Sequence, residues 1–219
     1  NCTALASVTL PARLKYIGER AFYLTAISVL ELPETVTTIG AYAFAKTDIT
    51  DIIIPGNVTV IAEGAFSTCT KLKTVVFNDG RATSLMLGTL DDTYGVFEGS
   101  AAITTVTLPK RITVIGARAF YNIKTITTLT IPAETASLTH IGDYAFYYNK
   151  FNSINLPEGL TYIGAHAFDH CQGTSFTTLT IPYTVTEVGE LAFYYCSKLK
   201  TVTFSEGAEG ATGLSLRLN

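Results

Sequence analysis

The chain has 219 residues, of which 47% are hydrophobic and 15% charged, with a net charge of -3. That much apolar material fills a continuous core and excludes a disordered chain, and the fifteen scattered Lys and Arg exclude the basic stripe of a nucleic-acid binder. No run of eighteen apolar residues is present, so no membrane-inserted helix is expected.

Asn1-Cys2-Thr3 reads as the tail of a repeat with no charged and apolar leader before it, so the chain is expected to be a fragment or a trimmed product of a longer protein. The first strand signal is Ser7-Val8-Thr9-Leu10-Pro11. It recurs at Val29 to Pro33, Asp51 to Pro55, Thr105 to Pro109, Thr128 to Pro132, Ser153 to Pro157 and Thr178 to Pro182, using all seven prolines. Thr74 to Phe77 and Thr201 to Phe204 lack only the proline, which makes nine strand-like segments. A period of roughly 22 to 26 residues predicts one solenoid over 1–219, of about eight repeats.

Within each segment side chains alternate, so Leu30 and Leu32, or Ile52 and Ile54, point inward while Glu31 and Ile53 point outward. Proline has no N–H to offer a ladder and turns the chain off the sheet. A return segment follows with apolar residues three apart, as at Val36, Ile39 and Gly40. That spacing suits an irregular or 3₁₀-like return, or a short second strand, and the glycine is expected to supply a backbone bend. Next stands Ala-Phe, from Ala21-Phe22 to Ala192-Phe193 with Val96-Phe97 as the variant, and its eight phenylalanines are expected to stack as an internal ladder.

Cys2, Cys69, Cys171 and Cys196 share one repeat position, in the turn three residues past the Phe. Ligands in a single file do not converge on a metal, so buried free thiols are expected, with a Cys171–Cys196 bridge as the alternative. The spacing from Phe77 to Phe97 is eight residues longer than from Leu10 to Phe22, which puts an insertion near 78–95 containing Asp79, Asp91, Asp92 and Tyr94. These aspartates match no calcium loop, and smaller insertions fall near Ala133 to Ser137 and Gln172 to Ser175. The tail 205–219 reads as a capping strand or the onset of a further repeat.

The string Leu32-Pro33-Glu34-Thr35-Val36-Thr37-Thr38-Ile39-Gly40-Ala41-Tyr42-Ala43-Phe44 closely resembles the BspA-like class of leucine-rich repeats, and the resemblance runs from Cys2 to about Phe204. It implies a leucine-rich repeat solenoid, right-handed and curved, with a concave parallel sheet of about nine short strands and irregular convex returns. It further implies a cell-surface or extracellular protein, often an adhesin for host matrix proteins or other cells, and brings no catalytic residues or cofactor.

No zinc, phosphate-loop or nucleophile-elbow motif is present, so neither an enzyme nor a cofactor is expected. His140, His166 and His170 read as surface histidines, and Tyr121, Tyr147, Tyr148, Tyr194 and Tyr195 as an edge of rings stacked from rung to rung. The outward positions of the strands are mostly Ser and Thr, but Val29, Ile53 and Val76 depart from this on three consecutive rungs, flanked by Glu31 and Asp51 and next to the insertion that carries Tyr94. Grouped exposed aliphatics are how a protein-binding patch looks, unless the insertion folds over and buries them. The expected function is binding a protein partner, such as host extracellular matrix, by a monomeric scaffold. Alternatives are a carbohydrate-binding module, an ice or crystal-surface binder using the T-x-T strands, and a structural spacer.

Overall fold

The computed structural model describes residues 2–132, 135 and 137–206. They form a parallel β-solenoid of about eight turns, without a helix among the described residues. The expected tail beyond Glu206, and most of the insertion at Ala133 to Ser137, lie outside the described residues.

Six of the nine strand signals form ladders. Asp51–Ile54, Thr74–Phe77, Thr105–Thr107 and Thr128–Thr130 make one four-stranded parallel sheet, and Thr178–Ile181 pairs with Thr201–Phe204. The other three keep the alternation without the ladder: Leu30, Ile154 and Leu156 are buried while Val29, Glu31, Ser153 and Asn155 are exposed. The break at Ser153 coincides with a bulkier rung. Phe151 and Phe176 stand there in place of the aliphatic residue of other turns, edge to face with centroids 5.3 Å apart.

The longest sheet runs through the returns, which are short strands and not irregular turns. Tyr16–Ile17, Thr38–Ile39, Val60–Ile61, Leu85–Leu87, Ile112–Ile115, His140–Ile141, Tyr162–Ile163 and Glu187–Val188 pair in parallel in that order. In each the isoleucine, leucine or valine turns inward, and from Thr38–Ile39 onward the following residue donates its N–H to the turn before, as Gly40 does to Ile17 at 2.8 Å and Gly116 to Leu87 at 2.7 Å.

Apart from Gly88, whose φ is 74°, those glycines do not supply the bend. None of Gly40, Gly116, Gly142 or Gly164 has a positive φ; each instead lies against the preceding turn's backbone, where a Cβ on Gly142 would stand 2.6 Å from the Ala117 nitrogen. The left-handed residues flank Ala-Phe on either side. Arg20, Tyr42, Arg118, Tyr144, His166 and Leu191 precede it with φ between 51° and 56°, and Leu24, Lys46, Thr68, Asn122, Tyr148, His170 and Tyr195 follow it between 50° and 62°. Such a backbone costs a non-glycine residue about 1–2 kcal/mol. Here it aims alternate N–H groups at the next turn: Tyr42 donates to Glu63, Phe44 to Ala65 and Lys46 to Ser67.

Between these ladders the eight phenylalanines stack in one file, with centroids 5.3–5.6 Å apart and planes within 25°. From Phe44 to Phe168 every ring of the file is fully buried, worth about 1.5–3 kcal/mol each in removed apolar surface. The small alanine beside each ring lets successive turns close without a void.

The insertion is divided around a return strand. Phe77 to Gly88 is three residues longer than Leu10 to Gly18, and Gly88 to Phe97 is five longer than Gly18 to Phe22. Leu85–Leu87 thus keeps its place in the long sheet, with Met86 beside Val60 and Leu87 beside Ile61. Beside this part of the insertion the buried Arg111 donates to two carbonyls of an earlier turn, Val58 at 2.6 Å and Pro55 at 3.3 Å, and to Ser84 of the insertion at 3.5 Å. The five extra residues form a loop tied down by Glu63 Oε1, which accepts from Thr93 N, Thr93 Oγ1 and Tyr94 N at 3.1, 2.6 and 2.9 Å.

Candidate partner-binding face

The T-x-T strands present one outward face. Val29 is 72%, Ile53 55% and Val76 43% exposed, so the insertion does not cover them. Ile53 and Val76 are direct partners across the parallel pair, and the repeat alignment puts Val29 one rung earlier on the neighbouring file. Glu31 and Asp51 are exposed beside them. Hydrogen bonds from Thr74 and Thr50, helped by the charge on Lys73, hold the Asp51 carboxyl below the ordinary range. It is therefore a fixed anionic point on the patch at neutral pH.

Two grooves open on this face. One of about 470 Å³ is lined by Val29, Glu31, Ser7 and Thr9 among others. The other, of about 560 Å³, holds Val76 with Lys73, Thr105, Thr107 and Lys110. Asp51 and Ile53 stand on the rung between them.

Tyr94 is not on this face. The divided insertion carries it to the Ala-Phe edge, where its ring meets Tyr42 edge to face at 6.0 Å and its N–H is held by Glu63. Burial and the bond to Glu63 push the Tyr42 phenol up to about 12. Asp92 is turned back on its own loop, accepting from Thr89 N and Oγ1 at 2.8 and 2.6 Å, and the described residues contain no group of three His, Cys, Asp or Glu able to hold a metal ion.

The tyrosine edge does stack from rung to rung, with Tyr121 and Tyr147 at 4.9 Å. Inside it lies a group the sequence reading passed over. Asp169 is buried, and its two oxygens accept from His166 Nδ1 at 2.7 Å and His170 Nδ1 at 2.6 Å. His166 stacks on Tyr144, and His170 lies between Tyr148 and Tyr195. His166 and His170 are thus anchored in the edge and not free on the surface. The signal was present: Asp169 interrupts the file Tyr121, Tyr147, Tyr194. His170 and Cys171 face apart, since the thiol bonds to the Phe146 carbonyl. All four cysteines are free thiols, so Cys171 and Cys196 are not bridged.

Comparison with known proteins agrees with this geometry. The family model for the BspA type leucine rich repeat region matches residues 1–85 and 93–210 in six copies. Among solved structures, a leucine-rich repeat protein from Bacteroides ovatus superposes with a TM-score of 0.74 at 26% identity, covering 93% of this chain and 50% of that one. A leucine rich cell surface protein from Faecalibacterium prausnitzii gives 0.50 at 24% identity, covering 97% of this chain and 65% of that one. The leucine rich repeat protein of T. pallidum gives 0.62 at 24% identity, with 77% of each chain covered. The chain therefore spans half the length of the first of these and under two thirds of the second. No match was found among curated proteins. With six matched copies over nearly the whole length, and the Ala-Phe ladder and T-x-T strands that those copies build, the chain belongs to the BspA-type leucine-rich repeat family.

Proposed function

We propose that this chain is a non-enzymatic, surface-exposed or secreted scaffold that binds a protein of a host or neighbouring cell through its T-x-T strand face. The observation that carries this is the run of Val29, Ile53 and Val76, exposed on three consecutive rungs where the remaining turns place mainly hydroxyls. Exposed aliphatics on a rigid sheet between two grooves offer desolvation without reordering. The similarity to the F. prausnitzii leucine rich cell surface protein supports the location.

The test is capture of fibronectin, fibrinogen and a glycan array by the purified chain, beside an Ile53→Asp, Val76→Asp double variant. Protein capture that the variant loses supports the reading. Glycan capture that survives in the variant moves the site to the tyrosine edge, where Tyr194 and Tyr195 are exposed, and overturns it.

A further inference from the structure

We propose that the insertion loop from Thr89 to Tyr94 is a second recognition element, separate from the strand face, that takes a basic segment of a partner protein. An apolar side chain of that segment packs on Leu90 and Tyr94, and a Lys or Arg beside it meets Asp91.

The loop is what this chain adds to an otherwise regular repeat. The family model matches residues 1–85 and 93–210 and passes over 86–92, where most of the extra residues between Gly88 and Phe97 lie. Loops inserted into a repeat run over its surface and carry recognition, because the core beneath does not depend on them. Here the large side chains face water. Tyr94 is 50% and Leu90 38% exposed, and Asp91 is exposed as well.

The loop is held by groups other than those it displays. Asp92 turns back onto Thr89 N and Oγ1, which leaves Leu90 and Asp91 at the tip of the turn. Glu63, on the turn before, fastens Thr93 and Tyr94, and the Tyr94 ring rests edge to face on Tyr42. A display fixed in advance loses little freedom on binding, and tyrosine offers a large contact area with few rotamers to freeze.

Charge selects the partner. Asp91 and Asp92 stand on the loop and Glu63 at its base, and among the described residues none of the three forms a salt bridge with Lys or Arg. The two arginines of this edge are occupied, Arg20 by Glu19 at 3.2 Å and Arg118 by Glu98 at 2.6 Å. The Asp92 carboxyl is raised by burial and by the fields of Glu63 and Asp91, against its bonds to Thr89. The net charge of -3 acts in the same direction, so long-range steering and close contact both favour a cationic segment. Leu90 and Tyr94 select a polypeptide over a bare polyamine, because only an apolar side chain next to the cation covers them.

The test is selection from a random-peptide display library on the intact chain, after depletion on a Leu90→Ser, Tyr94→Ser variant, so that peptides needing the loop are kept. An unchanged thermal denaturation profile checks that this variant is folded; where the profile shifts, depletion on Asp91→Lys takes its place. Enriched peptides are expected to pair Lys or Arg with an aliphatic or aromatic residue, with retention falling several-fold in high salt. Asp91→Lys should weaken them about tenfold or more. Glu63→Ala keeps every displayed side chain but frees the loop, and should weaken them several-fold. No enrichment, enrichment of neutral or acidic peptides, displacement by spermine at equal charge, or indifference to Glu63→Ala would each overturn the proposal. The Ile53→Asp, Val76→Asp variant should bind these peptides as the natural chain does, and loss of binding there overturns it too. Peptides that need the loop, with no fibronectin or fibrinogen captured by the natural chain, would support this element while the strand-face reading fails.

Discussion

The Cys171 thiol donates to the carbonyl oxygen of Phe146, one turn back in the solenoid, at 3.2 Å. The same bond is made by Cys69 to Phe44 at 3.1 Å, Ser100 to Phe66 at 2.6 Å, Asn149 to Phe120 at 2.9 Å and Cys196 to Phe168 at 3.0 Å. What these residue types share is a small buried donor. From Phe22 to Phe168 each ladder phenylalanine sends its N–H to the next turn, and in five of them this donor serves the buried carbonyl.

Thiols held this way are chemically silent. Burial raises the pKa of Cys69 and Cys171 and pushes Cys196 up to about 12. A maleimide at neutral pH should label one thiol per native chain, the exposed Cys2, and four after unfolding; two or more native labels would contradict the burial. The pH sign follows. The folded state holds these protons to higher pH than the unfolded state, so stability is full below the ordinary thiol value of 9.0 and falls as pH rises toward 12. Denaturation midpoints between those limits should drop for the natural chain and drop less when Cys69, Cys171 and Cys196 are all serine.

The return-strand glycines offer an internally controlled test. A Cβ on Gly142 would meet the Ala117 nitrogen at 2.6 Å and the Gly116 carbonyl carbon at 2.8 Å, backbone that cannot swing aside, whereas on Gly18 it would meet only the Tyr16 ring at 3.7 Å. Gly142→Ala should cost about 1–3 kcal/mol by overpacking. Gly18→Ala should be neutral or stabilising by up to about 1 kcal/mol. Urea denaturation of the two variants checks this, and equal losses would mean that conformational freedom and not close approach explains the motif.

That contrast marks what the sequence could and could not show. Inward and outward sides of the T-x-T strands were legible because a two-residue alternation has one reading, and Ala-Phe forecast the ring stack because a large residue at constant period must meet its copy. The glycine role was not legible, since a glycine needed for φ and one needed for space look alike as letters. The left-handed positions were hidden because thirteen non-glycine residues as varied as Arg, Leu, Tyr and His fill them, selected by the ladder of the next turn and not by propensity. On the candidate face the exposed aliphatics were visible, while Lys73 and Lys110 were not, because only the pairing of Thr74 with Thr105 places them on one groove.

Arg111 is another such case, a charged residue buried beside the divided insertion. Burial lowers its pKa, yet its guanidinium spans the carbonyls of Pro55, Val58 and Ser84. Arg111→Met should remove the donor to the Val58 and Ser84 oxygens, leaving Pro55 with only the Val58 N–H, and cost about 1.5–3 kcal/mol. Arg111→Lys should recover only part, because a single ammonium cannot reproduce the planar fork. Full recovery by lysine in thermal or urea denaturation would show that charge alone, and not the fork, is what the insertion needs.

Glu63 sets the last prediction, on the loop that carries Tyr94. Burial works to raise its pKa, but hydrogen bonds from Thr93, Tyr94 and Tyr42 overcome this and leave it lowered. A carboxyl depressed in the folded state stabilises above its ordinary value of 4.5, and that contribution is lost as pH falls through the folded value. Hydrogen exchange at Thr93 and Tyr94 should therefore be slow near neutrality. Below pH 4.5 it should speed up, after correction for intrinsic rates, before the Phe ladder opens. Glu63→Ala should show the fast behaviour at all pH values while leaving Val76 and its groove intact, because the loop lies on the Ala-Phe edge and not on the strand face. Loss of protein capture by the strand face in that variant would mean that the two surfaces are coupled through the insertion and do not act independently.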